Sequence, residues 1–185
     1  RQYFDTAMSS GKGSVVLSSD QPLGAIAQIQ ARPPQVRSMG AYSGASSGST
    51  RVYAPLVAKK GLGASGEVNA EIVIQNTGNS NVNVEVDFYN QTDGSWRFTK
   101  RGITIPGHTS YYYDLTAESS TNLPDRWFGS AVIRALNGSV AVVVNLFLGP
   151  HALQTYNGFP ESQASNVWMN PSFFSRLSNG LSTVM

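Results

Sequence analysis

Cysteine is absent from all 185 residues, which excludes a disulfide framework and any thiolate metal site. Charge is scarce. Asp, Glu, Lys and Arg make up 13% of the chain, about half of the ~25% usual in soluble domains. The net charge of +2 comes without a basic cluster, since Lys59-Lys60 and Lys100-Arg101 are isolated pairs. No nucleic-acid partner is expected on that ground. Long apolar runs are also lacking, so no membrane insertion, signal peptide or sorting tail is expected. The two histidines, His108 and His151, each follow a Gly/Pro turn pair, and neither has a second histidine at ligand spacing. There is no Gly-x-Ser-x-Gly elbow and no Asp-x-Asp-x-Asp-Gly loop. Asp87, Asp93, Asp114, Glu118 and Asp125 are scattered. The reading is therefore a chain with no catalytic centre, no metal and no cofactor.

Helical signals are missing as well: no window of a dozen residues carries a capped 3.6-residue apolar period. Strand signals fill the space. "VNVEVDFYN" at 82–90 alternates strictly, with Val82, Val84, Val86 and Phe88 on one face. "NAEIVIQN" at 69–76, "WRFTKRGITI" after Asp93-Gly94, and "TSYYYDL" at 109–115 read as further strands. "GSAVIRAL" and "SVAVVVNLFL" flank Asn137-Gly138, which predicts a tight hairpin. "VVVNLFL" is apolar on both faces, as in a central, doubly covered strand. Ile72, Ile74, Val84, Val86, Val142 and Val144 are expected deep in the core. Val82 and Phe88, nearer strand ends, are expected to be less buried. Seven or eight strands separated by Gly, Asn, Asp and Pro predict an all-β, antiparallel, Ig-like β-sandwich, with a closed barrel as the alternative.

The chain also repeats itself. "AYSGASSGSTRVYAPLV" from Ala41 resembles "TYNGFPESQASNVWMNP" from Thr155, and "GSVVLSSDQPLGAIAQ" from Gly13 aligns with "GSAVIRALNGSVAVVVN" from Gly129. Gly13 and Gly129 lie 116 residues apart, Tyr42 and Tyr156 114, and Pro55 and Pro171 116. A period near 115 sets the boundaries: residues 1–50 end one repeat, 51–165 form a complete one, and 166–185 open the next. Tyr42, Gly44, Tyr156 and Gly158 mark the repeat junctions, with both glycines expected in backbone conformations closed to a side chain. A chain that begins at Arg1 and ends at Met185 in such a frame reads as a window on something longer.

Two further sets of residues stand out. Asn90-Gln91-Thr92 and Asn137-Gly138-Ser139 fit the glycosylation sequon. Tyr111-Tyr112-Tyr113, Trp96, Trp127 and Trp168 offer either sandwich core and interfaces or a sugar-stacking platform, and the core reading is preferred.

The stretches Val52–Val57, Ile72–Gly78, Gly129–Asn145 and Thr155–Phe159 resemble a repeat module of large secreted bacterial, Chloroflexota-like, cell-surface proteins. The resemblance implies tandem Ig-like sandwiches on an extracellular or cell-surface chain, and it carries over no catalytic residue. The expected function is a non-enzymatic structural protein of a surface filament, sheath or stalk. Its partners are other copies of itself, head to tail, or neighbouring repeats of a longer chain. Val167, Trp168, Phe173, Phe174, Leu181 and Val184 are the candidate segment for strand exchange between copies. The alternatives are an adhesin or carbohydrate-binding module recognising surface glycans, and a non-catalytic appendage of a secreted hydrolase.

Overall fold

The computed structural model describes residues 11–30, 39–63, 66–149 and 152–165. Twelve strands follow in order: β1 Ile26–Gln30, β2 Met39–Ser43, β3 Arg51–Lys59, β4 Gly61–Gly63, β5 Gly66–Asn76, β6 Val82–Asn90, β7 Trp96–Ile105, β8 Ser110–Asp114, β9 Trp127–Ala135, β10 Val140–Leu148, β11 Ala152–Asn157 and β12 Phe159–Pro160. The only helical turns among the described residues are 3-10, at Leu115–Ala117 and Glu161–Gln163. All strand pairs are antiparallel. One sheet runs β11-β10-β5-β4, with β8 pairing the same edge of β5 as β4; the second runs β12-β3-β9-β6-β7; β1 and β2 form a separate hairpin. The two large sheets are open, so the fold is a sandwich rather than a closed barrel.

The core lies between these sheets. Ile72, Ile74, Val142, Val144 and Leu146 from the first sheet join Val52, Val57, Val84, Val86, Phe88 and Ile133 from the second in one buried cluster. Each such aliphatic side chain contributes roughly 1.5–3 kcal/mol by leaving water. Val82 and Phe88 are buried as deeply as the rest, at 1% and 0% exposure, which corrects the expectation of shallower positions. The reason is lateral. Phe88 is enclosed by the rings of Phe98, Tyr113 and Trp127 at 6.1, 6.0 and 5.9 Å, and Val82 sits under the turn at Gly138.

The hairpin expected at Asn137-Gly138 is also corrected. β9 pairs β3 and β6 in the second sheet, whereas β10 pairs β5 and β11 in the first. The turn is an arch between layers. Neither of its residues takes positive φ, and Asn137 holds the second sheet instead: its Oδ1 accepts from Asn83 N at 2.6 Å and its Nδ2 donates to Asn81 O. The true hairpin of that sheet is β6–β7, where Gly94 supplies the positive φ (68°). β10 is central, but it is not fully covered on both faces, since Phe147 is 42% exposed.

Candidate functional site

β3 runs "RVYAPLVAK", and its ladder to β9 slips between Ala54 and Val57. Pro55 has no N–H to give to a ladder, so a bulge is where a strand tolerates it. The slip leaves Leu56 without a strand partner, and Tyr156 on β11 supplies one. Its hydroxyl donates to Leu56 O at 2.5 Å and accepts from Leu56 N at 3.3 Å. Burial pushes the Tyr156 phenol up, against the opposing effect of the Leu56 bond, so it stays protonated as a donor. The tyrosine of the Tyr-x-Gly motif therefore clamps the Pro-containing bulge one hundred residues away. Tyr156→Phe leaves both Leu56 groups unsatisfied, and a loss of about 1–2 kcal/mol is expected in urea unfolding. The same change at Tyr42, which has no such bulge among the described residues, is expected to cost under about 0.5 kcal/mol.

The two Tyr-x-Gly segments are brought together. In the β10–β11 pair, Val143, Val144, Asn145, Leu146 and Phe147 face Asn157, Tyr156, Thr155, Gln154 and Leu153. In the β1–β2 pair, Ile26, Ala27, Gln28, Ile29 and Gln30 face Ser43, Tyr42, Ala41, Gly40 and Met39. The registers coincide at every rung, with offsets of 117 on one strand and 114 on the other. Both hairpins end in the same bond: Gly44 N to Ala25 O at 2.8 Å, and Gly158 N to Val142 O at 2.8 Å. Gly44 and Gly158 are required by crowding rather than by backbone conformation, which corrects the expectation. Neither has positive φ, but a Cβ would lie 2.9 Å from the Ala25 Cβ at Gly44 and 2.6 Å from Val52 Cγ1 at Gly158.

β2 lies against β11 itself. In an antiparallel pair, alternate residues turn their main-chain groups away from the partner. On β2 these are Ala41 and Ser43, and side chains of β11 take them. Thr155 Oγ1 donates to Ala41 O at 2.8 Å, Asn157 Nδ2 donates to Ser43 O at 2.7 Å, and Ser43 N donates to Asn157 Oδ1 at 3.2 Å. Beside this contact is an open groove of about 370 Å³, lined by Ser43, Gly44, Ser49, Val52, Val142 and Asn157 among others.

A second polar cluster lies under the loop after β8. Lys59 is 2% exposed, and its Nζ donates to Glu118 O at 2.5 Å and Leu123 O at 2.8 Å. The Glu118 carboxylate accepts from Tyr113, Lys100 and Asn122 at 2.6, 3.1 and 2.8 Å. Burial alone would raise its pKa, but these bonds outweigh it and hold the carboxyl at about 2. Burial, with Glu118 alongside, pushes the Tyr113 phenol up. The bonds from Lys59, Tyr113 and Lys100 hold the loop to three strands, and the Asn122 bond closes the loop on itself.

The remaining sequence candidates fall as follows. His108 sits in an exposed turn and shares a 2.6 Å hydrogen bond with Asn79 Oδ1. No group of three His, Cys, Asp or Glu able to hold a metal occurs among the described residues. Both sequon amides are engaged: Asn90 accepts from Trp127 Nε1 and donates to Ser95 Oγ, and Asn137 holds its arch. Tyr113 and Trp127 are core residues, while Trp96 is 59% exposed. His151, Val167, Trp168, Phe173, Phe174, Leu181 and Val184 lie outside the described residues. Missed from sequence were the Tyr156–Leu56 clamp and the Thr155/Asn157 grip; the Pro55 inside a strand pattern was the signal for the first.

No family model and no curated protein matches the chain. Among solved structures it is similar to Thermotoga maritima 1070, with a TM-score of 0.49 and 18% identity over 62% of this chain and 96% of that one. It is also similar to the Anabaena sensory rhodopsin transducer, with a TM-score of 0.42 and 19% identity over 54% of this chain and 97% of that one.

Proposed function

We propose that the chain is a non-enzymatic, extracellular structural protein, built from tandem sandwich units of about 115 residues and working by packing like against like. One observation carries this: the β1–β2 hairpin repeats the β10–β11 hairpin rung for rung, including the closing glycine bond. On this reading residues 13–44 are the closing strands of one unit, and 51–165 are a whole unit that ends the same way. Exposure supports it. At the alignment offsets of 116 and 117, Val15, Leu17, Leu23 and Ile29 correspond to Ala131, Ile133, Val140 and Leu146. The first four are at least 36% exposed and the second four at most 5%. A closing hairpin whose covering strands belong elsewhere would leave these side chains bare. The resemblance to secreted surface modules supports the location, and residues 166–185 would add opening strands to a neighbour.

Sedimentation velocity over a wide concentration range tests the reading. Species larger than the monomer should accumulate as concentration rises; a monomer throughout contradicts it. A second reading, a glycan-binding surface module, is favoured by exposed Trp96 paired with Tyr89 across β6–β7. Retention of defined glycans on an array, lost in Trp96→Ala, would select that reading instead.

A further inference from the structure

We propose that the hairpin segment 12–44 is exchanged between copies of this chain, each copy's Gly40–Ser43 strand docking on the Thr155/Asn157 grip of a neighbour. This deepens the structural reading by naming the contact through which copies join.

Three observations carry it. First, the receptor is specific and its occupant is known. Thr155 and Asn157 take the main-chain groups of Ala41 and Ser43, and Gly40 lies against Thr155 and Leu153 so closely that a Cβ there would be 2.6 Å from Thr155 Cγ2. The start of the segment is held in the same way, by Lys12 on Glu71, Tyr112 on Gly13 O and Ser14 on His108 O. A second copy offers identical partners, so every one of these bonds can be made between chains.

Second, the hinge is held by packing at one residue only, Gly48 against Thr77 and Ser139. Ala45-Ser46-Ser47-Gly48 joins the hairpin to the sandwich, and none of the four makes a hydrogen bond to the described residues. Ser49 is the first fixed point, through its paired main-chain bonds with Val140. Redirecting Ala45, Ser46 and Ser47 breaks no hydrogen bond to the described residues, which favours domain swapping at low cost.

Third, docking within one chain leaves apolar surface unspent. Val15, Val16, Leu17, Leu23, Ile26 and Met39 are 58–81% exposed. Exposed apolar side chains grouped along one segment offer surface for association. Exchange draws two copies together at this segment, where such side chains can cover one another. When each copy gives its hairpin to the next and receives from the one before, the contact is heterologous and propagates as an open chain.

The chain has no cysteine, so engineered thiols report cleanly. Gly40→Cys and Thr155→Cys are placed in separate full-length chains. A Cβ at Gly40 would lie against the Thr155 side chain, 2.6 Å from its Cγ2, so thiols at the two positions can meet. The two variants are mixed, incubated at high concentration, oxidised and run without reductant. A covalent heterodimer at least tenfold above a Gly40→Cys plus Thr104→Cys control is expected. Deleting Ser46 and Ser47, so that the hairpin no longer reaches its own β11, should raise the yield further. A mixed pair no better than control, with circular dichroism showing both variants folded, overturns the exchange, whether or not the protein forms filaments. Filaments without this cross-link leave the structural role standing and sink the proposed contact.

Discussion

Phe88→Ala is expected to lower the free energy of unfolding by about 4 kcal/mol. Phe88 is fully buried, and three aromatic rings surround it: Phe98 from the neighbouring strand, Tyr113 from the opposite sheet and Trp127 from the loop-facing end of β9. Truncation removes the transfer energy of the ring. It also leaves a cavity that three rigid rings cannot collapse to fill, which places the cost toward the upper end for such changes. Trp127 is pinned in addition by its bond to Asn90 Oδ1. Phe88→Leu keeps part of the volume and should cost about 1–1.5 kcal/mol. In urea unfolding the midpoint should fall with the slope unchanged. A loss below about 1 kcal/mol for the alanine variant would mean that this end of the core is not packed as described.

Glu118→Gln is expected to cost about 2–3 kcal/mol at pH 7 and almost nothing near pH 2. The folded protein holds the Glu118 carboxyl at about 2, below its ordinary 4.5. A depressed carboxyl contributes stability that is complete above the unfolded pKa and lost as pH falls through the folded one. The window is therefore about 4.5 down to about 2. The bonds from Tyr113, Asn122 and Lys100 supply the effect; glutamine keeps the side chain's shape but removes the charge and turns one acceptor oxygen into a donor, as protonation of the carboxyl also does. Asp87 is also depressed: burial raises it, but Arg134 and Thr99 lower it by more, so it adds to the acid sensitivity of both proteins. The difference between them isolates Glu118. A stability difference that stays constant from pH 7 to pH 2 would show that the charge of Glu118 plays no part.

Much of the sandwich was legible because period-two patterning depends on local chemistry alone. The strict alternation of 82–90 placed β6 and its buried face. Asp93-Gly94 placed the β6–β7 hairpin, where Gly94 does take positive φ. Asn137-Gly138 misled because the same dipeptide serves an arch when its side chain has a better partner. The main chain of Asn83 and Asn81, more than fifty residues away, is that partner, and no local pattern encodes it. Phe88 looked terminal along its strand and is central across the sheets, since depth depends on neighbours that arrive from β7, β8 and β9. The Tyr-x-Gly motif was visible as a recurrence in the sequence, at Tyr42 and Tyr156. Their roles were not: Tyr156 reaches Leu56, and the glycines yield to Ala25, Val52 and Val142 across distances that only the fold creates.

Electron microscopy of the concentrated protein tests most directly the proposal that the chain is a structural element assembling with its own kind. A strand of nine to eleven residues, as in β5, β6 and β10, spans about 30–35 Å. Unbranched filaments with an axial repeat of about 35 Å, or twice that, are the expected result. A field of separate particles one sandwich in size, at concentrations where sedimentation shows no larger species, would contradict the account.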